Sequence, residues 1–155
     1  MRQLASLRQR CNYPVYDMKV KLSEKLDSLD SLISELKRTS DEIGGIAIFV
    51  GAVRGTHGDE RVLRLEYEAH ETLAPKVIER IIKDLKAKHG IIDAIVEHRV
   101  GPVSVGEDVM YVLTASKHRR EAFRALEEMV DRIKDEVPIW KKEITDKEAY
   151  WVENP

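Results

Sequence analysis

The sequence predicts an α+β domain, and three observations carry that reading. Segments with a helical period of apolar residues are interspersed with short segments of strand character. The connections between successive strands are mostly of hairpin length, so antiparallel pairing should dominate. The chain has 155 residues and 43% hydrophobic content, enough for one compact core without metal or disulfide support. Residues 18–155 are expected to form a single domain, preceded by a polar, basic and aperiodic extension over residues 1–17.

A short strand at Met18 to Leu22 leads into a first helix on which Leu22, Leu26, Leu29, Ile33 and Leu36 step by four, three, four and three to form one stripe. After Gly44 and Gly45, the apolar run Ile46 to Val53 has strand length and branched residues, the pattern of a strand covered on both faces. Arg54 ends it, and Gly55 to Glu60 carries turn formers without an apolar residue, which predicts a mobile connection. Val62 to Ala69 alternates, with Leu63, Leu65, Tyr67 and Ala69 on one face, as a half-exposed antiparallel strand does.

Thr72 as cap, Pro75 in the first turn, an apolar face of Val77, Ile78, Ile81, Ile82 and Leu85, and Gly90 as the stop predict a second helix. Three strands follow, at Ile91 to Glu97, around Arg99 to Val103, and at Asp108 to Ala115, separated by turns at Gly101-Pro102 and Gly106. Ser116 is the expected cap of a third helix with a core face of Ala122, Phe123, Leu126, Met129, Val130, Ile133 and Val137, ended by Pro138. The tail from Ile139 to Val152 reads as extended, anchored by Trp140, Tyr150 and Trp151.

Several classes of function are disfavoured at once. With 26 Lys+Arg against 28 Asp+Glu the formal charge is -2, so no global field draws the molecule to nucleic acid and any basic patch is local. Cys11 is the only cysteine, which excludes an internal disulfide, a thiolate cluster and a Cys-x-x-Cys pair, and sulfur chemistry would have to borrow its sulfur. No apolar run approaches the roughly 20 residues of a membrane span, and residues 1–17 hold no apolar signal core, so a cytoplasmic location is expected. The histidines at 57, 70, 89, 98 and 118 are scattered and form no His-x-x-x-His pair, so no catalytic metal is expected; no cofactor is expected either.

The chemistry-bearing candidates are basic. Lys117, His118, Arg119 and Arg120 open the third helix, where the macrodipole disfavours cations by about 0.3–1 kcal/mol each. Such a turn suits an anion such as phosphate, or else is a solvated patch offset by Glu121. Lys134 lies at the edge of the apolar stripe of the same helix, where burial lowers an amine's proton affinity, although its stem can equally snorkel. Lys141 and Lys142 follow Trp140 in an extended segment, so only one of them can face a given cleft. Trp140 either walls a flat heterocycle or closes the core. Arg54, at the end of a rigid strand, is a further binding candidate, and His98, Arg99 and Glu107 could serve either a site or the strand ends.

Phe49-Val50-Gly51-Ala52-Val53-Arg54, Leu65-Glu66-Tyr67-Glu68-Ala69, His98-Arg99-Val100-Gly101, Gly106-Glu107, Ser116 to Phe123 and Pro138-Ile139-Trp140-Lys141-Lys142-Glu143, taken in order, resemble the MoaE family, the large catalytic subunit of molybdopterin synthase. The resemblance spans about residues 18 to 152. It implies an α/β hammerhead fold and a homodimer within a heterotetramer. Its small ubiquitin-like partner carries sulfur as a thiocarboxylate on a C-terminal Gly-Gly tail. The implied activity transfers two sulfurs to cyclic pyranopterin monophosphate, forming molybdopterin. Residue by residue, it implies that Lys134 and Lys141 are catalytic and that Arg54, His118, Arg119, Lys142 and Glu143 bind substrate, while Ala52 stands where some members carry a basic residue. Two rival readings stand beside it: a phosphate-tracking nucleic-acid module built on residues 117–120 and 141–142, and a non-catalytic scaffold for the small partner.

Overall fold

A computed structural model describes residues 19–152. The extension over residues 1–17, Cys11 and the first residue of the strand expected from Met18 lie outside the described residues. The α+β architecture holds, with three helices and two sheets among the described residues, their pairings mostly antiparallel.

The first sheet runs β1 (Val20–Ser23), β5 (Asp93–Arg99), β7 (Asp108–Ser116), β2 (Gly45–Ala52). Only β1 with β5 is parallel, at Val20 opposite Val96. Alternation divides the central strands between two cores. Ala94, Val96, Met110 and Val112 belong to the larger one with α2 (Leu73–His89) and α3 (Arg119–Glu136). Ile95, Tyr111, Leu113 and Ala115 join Leu32 and Leu36 of α1 (Leu29–Lys37) in the smaller one. This is why β7 is buried along almost its whole length.

The second sheet runs β3 (Thr56–His57), β4 (Glu60–Ala69), β8 (Ile139–Thr145), β9 (Ala149–Val152), with β6 (Gly101–Ser104) also on β4. Val62, Leu65 and Val103 carry its inner face into the larger core, where Val53 from the link between β2 and β3 joins them, so the two sheets meet over one apolar mass.

Several expectations are corrected. Leu22 lies in β1, and the buried residues of α1 are Leu32 and Leu36, because the helix begins only after its Ser28 cap, whose hydroxyl accepts from Ser31 N at 3.2 Å. The β2 strand is not covered on both faces: Ala47 is buried and Ile46 packs against the α1 cluster, but Ile48 and Val50 are 36% and 41% exposed, since α1 packs over β5 and β7 and does not reach the far part of this edge strand. A register shift between Val62 and Arg64 gives Val62 the inward place and leaves Leu63 exposed.

Residues 55–60 are not simply a connection; Thr56 and His57 pair with Arg61 and Glu60 around a turn at Gly58, whose φ of 57° suits glycine. Thr72 makes no side-chain cap bond, and His70 Nδ1 instead accepts from Leu73 N at 3.0 Å. Gly90 ends α2 in the left-handed region, as expected. His118, not Ser116, is the N-cap of α3, with the Ser116 hydroxyl donating to the His118 carbonyl. Phe123 is 62% exposed, so the buried face of α3 is Ala122, Ala125, Met129, Val130 and Ile133. Trp140 and Trp151, expected as anchors, are each about half exposed on the outer face of the second sheet.

Candidate active site

Where the end of β2 approaches the end of α3, the two sheets leave a cavity of about 560 Å³. Its floor is apolar, from Phe49, Val62, Leu65, Met110 and Ile133, and its polar groups include Arg54, Lys134, Lys141, Glu143, His98 and His57. Apolar walls with a few converging polar groups are the usual build of a small-molecule site.

The local causes are simple. Arg54 is carried there because Val53, 4% exposed, is locked into the core and bonded through its N–H to the Glu107 carbonyl at 3.1 Å. On β8 the alternation sends Ile139, Lys141 and Glu143 inward, with Lys141 paired to Tyr67 and Glu143 to Leu65 of β4. Lys134, on the last turn of α3, holds its ammonium 6.0 Å from the centre of the Phe49 ring.

Electrostatics bind these groups into one site. Burial lowers the proton affinity of Lys141, the cations Lys134 and Arg54 lower it further, and the Glu143 carboxylate opposes both. The Tyr67 phenol is pushed up to about 12 by burial and by Glu143, so it stays a proton donor. His98 is 6% exposed, and burial holds it down at about 4. Its Nδ1 donates to the Arg99 carbonyl at 2.7 Å and its ring meets Tyr67 edge-on at 4.9 Å, so the cavity wall there is a neutral imidazole.

The structure thus brings Arg54, Lys134, Lys141 and Glu143 together but leaves three candidates elsewhere. Lys142 lies on the opposite face of β8, its ammonium 5.8 Å from the centre of the Trp151 ring and outside the cavity, because successive strand residues face opposite sides. His118 and Arg119 are exposed at the start of α3, beside Gly45. At 1.5 Å per residue, Arg119 is roughly 22 Å along the helix from Lys134, so one chain does not unite the basic turn with the lysine cavity.

Arg99 and Glu107 serve the fold: Arg99 donates to Glu107 at 3.1 Å and to the carbonyls of Glu24 and Pro102. Local pattern alone does not mark Phe49, Tyr67 or His57 as site residues, since ordinary core and turn patterns account for them. His98 carried only the weak signal of a histidine next to an arginine at a strand end.

The sequence profile of the MoaE protein family matches residues 22–136, about three quarters of the chain. The chain belongs to the MoaE family. It is 43% identical over 115 residues to the molybdopterin synthase catalytic subunit of Pyrococcus abyssi, covering 74% of this chain and 78% of that one. The crystal structure of molybdopterin synthase from Staphylococcus aureus superposes with a TM-score of 0.78 at 28% identity, over 89% of this chain and 98% of that one. A complex of subunits 1 and 2 of the molybdopterin-converting factor from Helicobacter pylori shares the MoaE fold, with a TM-score of 0.71 at 21% identity over 86% and 90% of the two chains. Membership sets the chain among molybdopterin synthase catalytic subunits, enzymes of molybdenum cofactor biosynthesis. Among the described residues no helix is long and apolar enough to cross a membrane.

Proposed function

We propose that this chain is a sulfurtransferase that moves two sulfurs from a thiocarboxylated Gly-Gly tail of a small ubiquitin-like partner to cyclic pyranopterin monophosphate, giving the dithiolene of molybdopterin. The observation that carries the reading is the shared cavity of Arg54, Lys134 and Lys141, where the burial-lowered proton affinity of Lys141 suits proton exchange. Two sulfurs must come from outside, since Cys11 is the sole cysteine. The Helicobacter pylori neighbour, a two-subunit complex, supports a small partner as the donor.

In this mechanism the cations of the cavity hold the anionic substrate and the incoming thiocarboxylate in line, an arrangement that lowers the barrier by removing the search for orientation. Lys134 and Lys141 then stabilise charge and exchange protons as an acyl-sulfur intermediate forms and is hydrolysed. Residues 18–155 act as the single catalytic domain, in the cytoplasm, without a cofactor, and residues 1–17 are dispensable.

His118 and Arg119 hold the substrate phosphate from a second copy of the chain, in a homodimer within a heterotetramer. Three features support that arrangement: the roughly 22 Å along α3 between Arg119 and Lys134, the bare Ile48 and Val50 on the β2 edge, and the exposed Phe123 beside the basic turn. Mixing the protein with the thiocarboxylated partner and the cyclic pterin, and weighing the products by mass spectrometry, tests the activity. A pterin gaining two sulfurs is expected; folded protein at saturation that yields none overturns the reading. For the crossing, subunits bearing Arg119→Ala and Lys134→Ala are mixed. Recovered activity supports a site shared between copies, and none refutes it.

A further inference from the structure

His57, Glu143 and Tyr150 come from β3, β8 and β9 and meet on one oxygen atom. His57 Nδ1 and Tyr150 Oη each lie 2.9 Å from Glu143 Oε1, and the phenol is 3.3 Å from the same ring nitrogen. The Glu143 side chain is 6% exposed, whereas that of His57 is 51% exposed. A carboxylate only accepts, so the imidazole donates from Nδ1 and, when neutral, carries its lone pair on Nε2. Lost solvation and the Glu143 carboxylate push the Tyr150 phenol up to about 12, which keeps it a donor that braces the same carboxylate.

Both His57 and Glu143 line the cavity of Arg54, Lys134 and Lys141. A guanidinium, or a lysine while it is charged, binds an anion but has no lone pair to take a proton; a neutral imidazole has one, so the lysines can serve the sulfur-transfer steps while His57 receives the proton of the hydrolytic water. A buried carboxylate fixing an imidazole that opens on a cleft is the arrangement of an oriented general base. This accounts for Glu143 better than substrate binding does, because its Oε1 already accepts from two side chains.

We infer that His57 is the general base for hydrolysis of the acyl-sulfur intermediate, with Glu143 and Tyr150 as its positioning residues; the inference rests on the sulfur-transfer reading above. Water oxygen bonds to the carbonyl carbon of the partner's terminal glycine, and the carbon–sulfur bond breaks. The sulfur stays on the pterin as a thiolate. One water proton passes to His57 Nε2 and the other leaves with the released carboxyl group. The imidazolium then returns its proton to the thiolate or to solvent, so the step is neutral in electrons and needs no further reactant.

The test is single turnover of the assembled enzyme with thiocarboxylated partner and cyclic pterin, quenched over time and weighed. His57→Ala and His57→Gln should slow release of the partner about 100-fold or more, so that a covalent partner–pterin adduct accumulates while substrate affinity is unchanged. Added imidazole should restore release in His57→Ala, a rescue that a merely structural role would not show. Release at the unsubstituted rate in either variant overturns the inference. So does slow release without adduct, or slow release with a lowered Tm that imidazole leaves unmoved. Failure of the unsubstituted enzyme to thiolate the pterin would instead overturn the sulfur-transfer reading and this step with it.

Discussion

Replacing His98 by Asn should change how stability depends on pH, and the size follows from the burial of one ring. His98 is 6% exposed and held at about 4 against an ordinary 6.5, chiefly by desolvation, with the bond to the Arg99 carbonyl opposing. Between those two values the unfolded chain binds a proton that the folded chain refuses. The stabilisation is therefore full above the unfolded value and is lost as pH falls toward 4, at about 1.4 kcal/mol per pH unit. From about pH 8 to about pH 5 this group alone removes about 2 kcal/mol.

Asn can keep the donor to the Arg99 carbonyl but cannot titrate. It also loses the edge contact with Tyr67, so the variant is less stable at both pH values. The informative quantity is the gap between the two proteins, measured by urea unfolding at each pH. It should narrow by about 2 kcal/mol at the lower pH. An equal gap at both would refute the claim that His98 is buried neutral in the cavity wall.

Lys134→Ala and Lys141→Ala should each reduce turnover about 100-fold or more with stability nearly kept, and the double variant should lose less than the two effects combined, as steady-state kinetics on assembled enzyme would show. Lys142→Ala, on the opposite face of β8 beside Trp151, should leave turnover near normal in the same assay. Arg119→Ala should weaken pterin binding by calorimetry while Tm stays equal or rises slightly, because a cation opposing the α3 dipole is removed. Gly44→Ala should cost about 1–3 kcal/mol in unfolding experiments, since a Cβ there overlaps the Lys117 carbonyl oxygen where the chain enters β2.

The parts of this protein legible in the sequence are those governed by local period and local stereochemistry. The α2 face of Val77, Ile78, Ile81, Ile82 and Leu85 is buried as spaced, and Gly90 stops that helix because a left-handed residue is needed there. The opposed facing of Lys141 and Lys142 follows from strand alternation and holds. Ordered short segments sufficed for the family, since sequence order survives without any knowledge of contacts.

Only the tertiary structure decided which apolar residues find cover and which polar groups meet. Ile48 and Val50 read as core but lie bare because nine-residue α1 ends over its own two strands, and Phe123 reads as core but faces outward from α3. Leu63 is displaced by a one-residue shift between β4 and β8, a long-range pairing that no local pattern contains. The site has the same origin. Arg54, Lys134 and Lys141 converge, as do His57, Glu143 and Tyr150, from strands and a helix distant in sequence, whereas Arg119 shares a helix with Lys134 and is carried away from it by the helical rise. Spacing along the chain sets the direction in which a side chain points; packing between elements sets what it points at.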